Sequence, residues 1–156
     1  MPAPVPGPDS DILAAFRFSV TFMIAGAAPN PVDVRFQRVS GLSAEIGTTT
    51  VREGGQNLYS HRLPDSVEYN NLVLERGMVL ASPLNLQNQL TFAAFEFKPS
   101  NVIVTLLGED AEPLSAWLFL RAYPTKWATS DLDASSSDVL IDTLELAYSQ
   151  MLRLSV

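Results

Sequence analysis

The sequence predicts a mainly β domain: a small β-barrel or sandwich of roughly six to seven antiparallel strands, with one flanking α-helix and a long β-hairpin arm. Apolar and polar residues alternate from Phe16 to Ile24, which is the period of a half-buried strand. Several other β-prone segments are separated by clusters of Gly, Pro, Ser and Asp. Only the segment 82–97 carries both capping and spacing signals of a helix.

The length and composition indicate one domain with an apolar core. The chain has 156 residues, of which 47% are apolar and 17% charged. We expect a flexible, Pro-rich N-terminal arm over residues 1–12 and a single β-barrel domain over 13–156. The net charge of −7 argues against binding of nucleic acid through a basic face. The absence of cysteine excludes disulfides and thiolate metal sites.

The first half of the chain predicts strands joined through a long hairpin. A second strand is expected over residues 32–42, with Val34, Phe36 and Val39 inward and a bend at Ser40-Gly41. Residues 43–53 are polar but β-prone, and Gly54-Gly55 marks a turn. After Pro64, residues 66–77 are predicted to form one strand. The polar stretch from about 45 to 68 is therefore predicted to be a protruding hairpin, called the arm below.

The single predicted helix begins at Ser82. Serine is a favourable N-cap, and Pro83 suits the first helical position. Leu86 and Leu90 are four residues apart, and Ala93 and Ala94 extend the same side, so this side is expected to face the core. The segment Lys98-Pro99-Ser100 is expected to follow the end of the helix.

Three strand-like segments complete the predicted domain. Residues 101–108 are apolar throughout and are expected to be buried on both faces. Residues 113–127 alternate Trp117 and Phe119 with Leu118 and Leu120, which again indicates two apolar sides. A Ser/Asp-rich turn at 130–138 precedes a last strand over 137–154, in which Leu144, Leu146 and Tyr148 alternate with Glu145, Ala147 and Ser149.

No catalytic or metal-binding pattern stands out. His61 is the only histidine, and no Gly-x-Ser-x-Gly elbow accompanies it, so it is expected to be an exposed or interface residue. Asp131, Asp133 and Asp138 lack the spacing of an EF-hand and indicate an acidic surface turn. Gly54-Gly55 lacks the lysine of a phosphate-binding loop. We therefore predict no enzyme activity, no cofactor and no metal.

Several segments in order give a resemblance to a known family. The chain resembles the inner tube proteins of phage tails and of extracellular contractile injection systems from about Phe16 to Tyr148. The resemblance rests on these segments: "FRFSVTF", "VRFQRVSGLSAEI", "VREGGQN", "HRLP", "YNNLVLERG" and "PLSAWLFLRAYPTKW…IDTLELAY". Asp142 departs from this pattern, because glutamate is common at that position in the family.

The resemblance implies a structural subunit. Six copies would form a ring, their inner sheets would join into one barrel around a channel, and rings would stack into a tube inside a sheath. A hub and spike baseplate would lie at its end, with cargo effector or DNA in the lumen without specific binding. This chain would not insert into a membrane, and no signal peptide is recognisable. We expect assembly in the bacterial cytoplasm and then a tail or a released particle.

In this reading the arm docks on the neighbouring ring. Arg52 and Arg62 would make paired contacts with acidic groups there. The inter-subunit contacts are expected on the arm and at its end, at Arg52, Glu53, Gly54, Gly55, Asn57, His61, Arg62, Arg76 and Gly77. Six copies would carry 6 × −7 = −42 formal charges, so the hypothesis includes an acidic lumen that repels acidic cargo.

Two other readings stay open at this point. The "VREGGQN…HRLP" segment and the longer start, Met1 to Ser10, resemble a tube-initiator paralogue, which forms the first layer between baseplate and tube. The other alternative is a protein of a different class, a small ligand-binding β-barrel. Its cavity would be lined by Trp117, Phe119, Tyr123 and Trp127. A native mass of a monomer or dimer would distinguish such a carrier from a tube subunit.

Overall fold

The predicted mainly β class is confirmed. The computed structural model describes residues 17–23, 35–55, 57–78 and 82–155, so the predictions for residues 1–12, Phe16, Ile24 and Val34 lie outside the described residues. Within the described residues the chain forms nine strands and one helix. These are β1 (Phe18–Met23), β2 (Arg38–Ser40), β3 (Ala44–Val51), β4 (His61–Tyr69), β5 (Leu72–Gly77), α1 (Pro83–Ala94), β6 (Ser100–Leu107), β7 (Pro113–Thr129), β8 (Ile141–Ala147) and β9 (Gln150–Ser155).

Seven strands form one antiparallel sheet that is strongly bent. The strand order is β1-β6-β7-β8-β5-β2, and β9 also pairs with β7. The first part of β7 lies between β6 and β9, whereas its second part, from Tyr123, pairs with β8. Arg121, between the two parts, has a φ of 54°, and the β6–β7 register shifts next to it. We call β1, β6, the first part of β7 and β9 the first half-sheet, and the rest the second half-sheet.

The two half-sheets enclose the core. Val20, Val102 and Phe119 come from the first half-sheet, and Leu74 and Leu144 from the second, and all belong to one buried cluster. Burying such side chains is worth about 1.5–3 kcal/mol each, so this interior is the main source of stability. Trp117 and Trp127 are partly buried and pack against the cluster.

The arm is a separate two-stranded ribbon of β3 and β4. The prediction of one strand over 66–77 after a break at Pro64 is wrong. β4 begins at His61 and includes Pro64, and Asn70 and Asn71 separate β4 from β5. Proline is tolerated here because each strand of a two-stranded ribbon has an unpaired edge that needs no N–H donor.

Two further strand boundaries differ from the prediction. The second strand, predicted over 32–42, is limited among the described residues to the three residues of β2. The segment 137–154 is two strands, because Tyr148 and Ser149 separate β8 from β9. β8 pairs with the second part of β7 and β9 with the first part, so the chain has to change partners at this point.

The helix starts as predicted but turns a different side to the core. Ser82 is the N-cap, and its Oγ accepts a hydrogen bond from the Asn85 N–H at 3.3 Å. The helix ends at Ala94, because Phe95 adopts a left-handed φ of 53°. Its buried residues are Leu84, Asn88 and Thr91. The expectation that Leu86, Leu90, Ala93 and Ala94 face the core is therefore wrong.

Candidate functional site

The base of the arm is tied to the body by side-chain amides. Asn70 Nδ2 donates to Ser43 Oγ at 2.6 Å, and Asn71 Nδ2 donates to Glu145 Oε1 on β8 at 2.8 Å. Gly41 has a φ of 86°, and a Cβ there would lie 2.0 Å from the Asn71 carbonyl oxygen. Only glycine therefore allows the two ends of the arm to approach this closely.

An aromatic contact joins the base of the arm to the core. The rings of Tyr69, the last residue of β4, and Tyr148 are 5.6 Å apart between centroids, and Tyr148 lies 4.8 Å from Phe119. The buried Tyr148 Oη has no hydrogen-bond partner among the described residues. Burial, with a smaller contribution from Tyr69, raises the pKa of Tyr148. The phenol is thus held in its neutral form beside the arm.

The legs of the arm are less polar than the sequence indicated. Ile46 and Val67 are register partners near the base, and both are about half exposed or more. Gly47 opposes two residues of β4, so the register changes between the Ile46–Val67 and Thr48–Pro64 pairs. Successive side chains of β3 point to opposite faces of the ribbon, so Thr49 lies on the face opposite to Ile46. Leu63 is the register partner of Thr49 and therefore shares its face.

The bulge therefore gives the arm an exposed apolar group on each face. Ile46 and Val67 form the group near the base, on one face, and their exposed fractions are 63% and 49%. Val51 and Leu63 form the group near the tip, on the other face, and are 40% and 52% exposed. Exposed apolar side chains on both faces make the ribbon a candidate contact surface.

The tip, residues 52–55 and 57–60, brings most of the predicted contact residues together. The tip and the start of β4 carry Arg52, Glu53, Gly54, Gly55, Asn57, His61 and Arg62.

Contacts at the tip order the polar side chains around His61. The rings of Tyr59 and His61 meet edge to face at 5.3 Å, and His61 Nε2 lies 3.9 Å from Glu53 Oε1. Arg62 Nη2 donates to Thr48 Oγ1 at 3.3 Å. Leu58, which sequence reasoning did not single out, is 91% exposed. The tip therefore presents an apolar side chain beside a ring of polar groups.

Arg76 and Gly77 lie in the body and not at the end of the arm, where the prediction placed them. They belong to β5 in the second half-sheet, in register with Asp142 and Ile141 of β8. Arg76 is 4% exposed, and its Nη2 donates to Ser82 Oγ and to Asn85 Oδ1, both at 2.9 Å. Arg76 thus joins β5 to the start of the helix.

The two half-sheets have outer surfaces of different chemistry. Two rows of register partners cross the outer surface of the first half-sheet and contain no charged residue. The first row consists of Thr21, Ile103, Leu118 and Leu152. The second row consists of Ser19, Thr105, Ala116 and Leu154.

We call these eight residues the charge-free face. Leu152 and Leu154 on it are each 38% exposed. The outer rows of the second half-sheet instead contain Arg38, Glu75, Glu145 and Lys126. The prediction that 101–108 is buried on both faces is wrong: Val102 and Val104 are buried inside, whereas Ile103 on the outer side is only partly covered.

The helix has an uncovered apolar side as well. Leu86 and Leu90 are 60% and 53% exposed, and they lie on the side opposite to Leu84, Asn88 and Thr91. We call Leu86, Leu90, Ala93 and Ala94 the helix stripe. The sequence of the helix, PLNLQNQLTFAA, contains no charged residue.

The acidic turn caps its own backbone. Asp133 Oδ1 accepts one hydrogen bond from Ser135 Oγ at 2.6 Å and another from the backbone N–H of Ser135 at 2.9 Å. These two hydrogen bonds lower the pKa of Asp133. Asp138 accepts from Ser136 Oγ at 2.5 Å. In the described part of the chain, no three acidic or histidine side chains are grouped to hold a metal ion.

The aromatic residues proposed for a ligand cavity are not gathered around one space. Phe119 is fully buried in the core, with Trp117 and Trp127 packed against it. Tyr123 is 39% exposed and contacts Phe97 at the surface, with 5.7 Å between ring centroids. No helix among the described residues has the length and hydropathy needed to cross a lipid bilayer.

The described residues form a β-sandwich whose arm, sheet and helix all carry exposed apolar side chains. The sequence identifies the family more closely: the model of the T4-like virus tail tube protein gp19 matches residues 14–152. The chain belongs to this tail tube family, which confirms the resemblance. No curated protein matches the chain.

Solved structures agree with this assignment. A chain of the anti-feeding prophage (AFP) baseplate, 6-fold symmetrised, is 39% identical, with a TM-score of 0.82 over 99% of this chain and 98% of that one. A chain of the sheath-tube complex of an extracellular contractile injection system, PVC, in the extended state is 19% identical, with a TM-score of 0.79 over 97% and 100%. A chain of the AFP tube-terminating cap is 21% identical, with a TM-score of 0.75 over 99% and 95%.

Proposed function

We propose that this chain is a structural subunit of the inner tube of a contractile injection system, forming six-membered rings around a central channel. The observation that carries the proposal is the arm. It is fixed at its base by Asn70 and Asn71, yet exposes apolar side chains along its whole length. Membership of the tail tube family and likeness to a 6-fold symmetrised assembly support the ring.

In this proposal the arm docks on the next ring of the stack. Its two apolar groups lie on opposite faces, so each arm would be clamped between two chains. Arg52, Glu53, Asn57, His61 and Arg62 would surround the apolar contact and set its register. Gly54 and Gly55 would let the tip turn within this contact. Arg76 acts from inside the subunit, because it is buried against the helix start.

A position in the first layer, next to the baseplate, is favoured over the bulk of the tube by one observation. The chain is 39% identical to a chain of a baseplate structure but 19% and 21% identical to chains of a sheath-tube complex and of a tube cap. A chain in this layer would contact hub and spike proteins below and tube subunits above. Bulk tube, with the sheath around it, is the second candidate.

The chain would act by assembly and without catalysis. Cargo effector or DNA would pass through the channel without specific binding. Assembly would take place in the bacterial cytoplasm, before the particle is completed and released. The ligand-binding barrel is the weaker proposal, since the structure separates Tyr123 from the other three aromatic residues.

Electron microscopy and mass photometry of the purified chain test the proposal. A bulk tube subunit would form long tubes unaided, whereas a first-layer subunit would form single rings that extend only with hub or tube proteins. A chain that stays monomeric with and without these proteins would contradict both readings.

A pair of arm variants tests the docking role. Leu58→Ser with Leu63→Ser should leave rings intact and abolish stacking, because both side chains are exposed in the single chain. Leu132→Ser with Val139→Ser is the matched control, since these residues are 82% and 71% exposed outside the arm. Equal loss of stacking in both pairs would argue against the arm as the docking element.

A further inference from the structure

We propose that the helix stripe of one copy packs on the charge-free face of the next copy, and that this contact closes the ring. The inference rests on the proposed function, because it names which two surfaces meet within a ring. It is drawn from two uncovered surfaces of the same chain and not from the arm, which serves contacts between rings.

Charge restricts where two copies can meet. Each copy carries a net charge of −7, so like surfaces repel one another. The outer rows of the second half-sheet carry carboxylates at Glu75 and Glu145. Neither the charge-free face nor the helix stripe contains a charged residue. Glu96 and Lys98, which flank Leu86 and Leu90, form an ion pair with each other at 3.5 Å, so the two surfaces can be buried against each other without leaving an unpaired charge.

The two surfaces are also apolar where they are exposed. Leu86 and Leu90 are more than half exposed on the helix, and Leu152 and Leu154 are 38% exposed on the sheet. Residues 101–108 and 113–120 have apolar side chains on both sides, which is typical of strands covered on both faces. In the single chain the inner side is buried by the core. On the outer side Ala116 is buried, Ile103, Thr105 and Leu118 are half-buried, and Leu152 and Leu154 are exposed.

The dimensions of the two surfaces match. A twelve-residue helix is about 18 Å long. Strands of six to eight residues, as in β1, β6 and β9, extend about 20–26 Å. A helix on a sheet is a standard layered packing. Here it would be completed between chains, because α1 contacts its own body through Leu84, Asn88 and Thr91.

The contact joins two different surfaces, so it is head-to-tail. Every copy then offers one helix stripe and one charge-free face, and such a contact closes a ring when the rotation between neighbours divides a full turn. A self-complementary contact would stop at a dimer. A contact of this type is compatible with a closed ring that needs no further protein.

Cysteine cross-linking tests the contact directly, because the chain has no cysteine of its own. In a set of double variants, Leu86→Cys or Leu90→Cys is combined with Leu152→Cys or Leu154→Cys in the full chain. A short bismaleimide should then give a ladder of covalent multimers that ends at the ring size. Leu90→Cys with Leu132→Cys, outside both surfaces, is the control and should give dimers at most.

Charged variants give a second test. Leu90→Glu and Leu152→Glu should each be folded monomers by circular dichroism and native mass, with at least a tenfold loss of ring assembly. Mixed together they should form one-to-one dimers, because one intact helix stripe and one intact charge-free face remain.

The outcomes separate this inference from the proposed function. Rings in the microscope without a ladder in any double variant would overturn the helix–sheet contact and leave the tube subunit standing. Cross-linked dimers of a Leu152→Cys single variant would also overturn it, since they indicate contact between two sheets. A chain that forms neither rings nor a ladder, with or without baseplate proteins, would overturn both.

Discussion

Gly41 lies at the point where the chain leaves β2 and approaches the base of the arm. Its φ of 86° is in the region that favours glycine, and the Asn71 carbonyl occupies the space of a Cβ. Gly47, in the bulge of the arm, would place a Cβ at an ordinary 3.6 Å from the Ser66 carbonyl oxygen. The fold therefore requires glycine at position 41, whereas position 47 has room for a Cβ.

Gly41→Ala should lower the free energy of unfolding by about 2 kcal/mol or more, since the left-handed conformation alone costs about 1–2 kcal/mol. Gly47→Ala should change it by less than about 0.5 kcal/mol. Thermal or urea unfolding of both variants checks this. Equal stability of the two variants would contradict the close approach of Gly41 and Asn71.

Tyr148 should make the stability depend on alkaline pH. Its pKa is raised in the folded state by burial, so the unfolded chain ionises first as the pH rises above about 10. The stability that this residue contributes is complete below that pH and is lost as the pH rises through its folded pKa.

Tyr148→Phe removes this dependence. Because Tyr148 Oη has no partner among the described residues, the variant should be as stable as the native chain at pH 7, or more stable by up to about 1 kcal/mol. Urea unfolding between pH 8 and 11, roughly the range around the tyrosine pKa, should show a smaller loss of stability in the variant. If the variant loses as much stability at alkaline pH as the native chain, groups other than Tyr148 cause the loss.

At the scale of elements, the helix is attached through its first turn. Its N-cap, Ser82, is buried and accepts from Arg76, whose guanidinium also lies 5.4 Å from the Phe36 ring centroid. The side of the helix against the body includes two polar residues, Asn88 and Thr91. Together with Leu84, this polar attachment fixes one orientation of the helix and leaves Leu86 and Leu90 exposed.

Arg76→Met should lower the free energy of unfolding by about 3 kcal/mol, because the buried Ser82 hydroxyl and the partly buried Asn85 amide oxygen lose a charged donor. Arg38→Met is the matched control. Arg38 has a side chain 69% exposed and a 3.9 Å ion pair with Glu75, so its loss should cost about 0.5 kcal/mol or less. Chemical unfolding of both checks this, and similar losses would contradict the role of Arg76.

For the whole molecule, assembly has to overcome repulsion between acidic copies. The screening length falls from about 30 Å at 0.01 M salt to about 8 Å at 0.15 M. Assembly of the native chain, followed by light scattering, should therefore increase with salt over this range. A decrease would mean that attractive ion pairs, such as those predicted for Arg52 and Arg62, dominate the contacts.

Local signals in the sequence predicted much of the fold. The Ser82-Pro83 start of the helix and the hairpin around Gly54-Gly55 follow from capping and turn chemistry, and both are confirmed. The strand predicted over 16–24 from its period is confirmed over 18–23, within the described residues. The break at Pro64 was wrong, because local propensity does not tell whether a strand has a second neighbour that needs its N–H. The predicted contact residues on the tip lie together in the structure because they are close in sequence.

The sequence by itself determined the β class, the order of most elements and which side chains share a side of each strand, since these depend on period and local conformation. Only the tertiary structure decided what covers each side. It placed Arg76 inside the subunit, turned Leu86 and Leu90 outward, and left Leu152 and Leu154 on an uncovered face. Period alone cannot separate an apolar side that is buried in the core from an apolar side that stays exposed in the single chain, because both give the same alternation along the sequence.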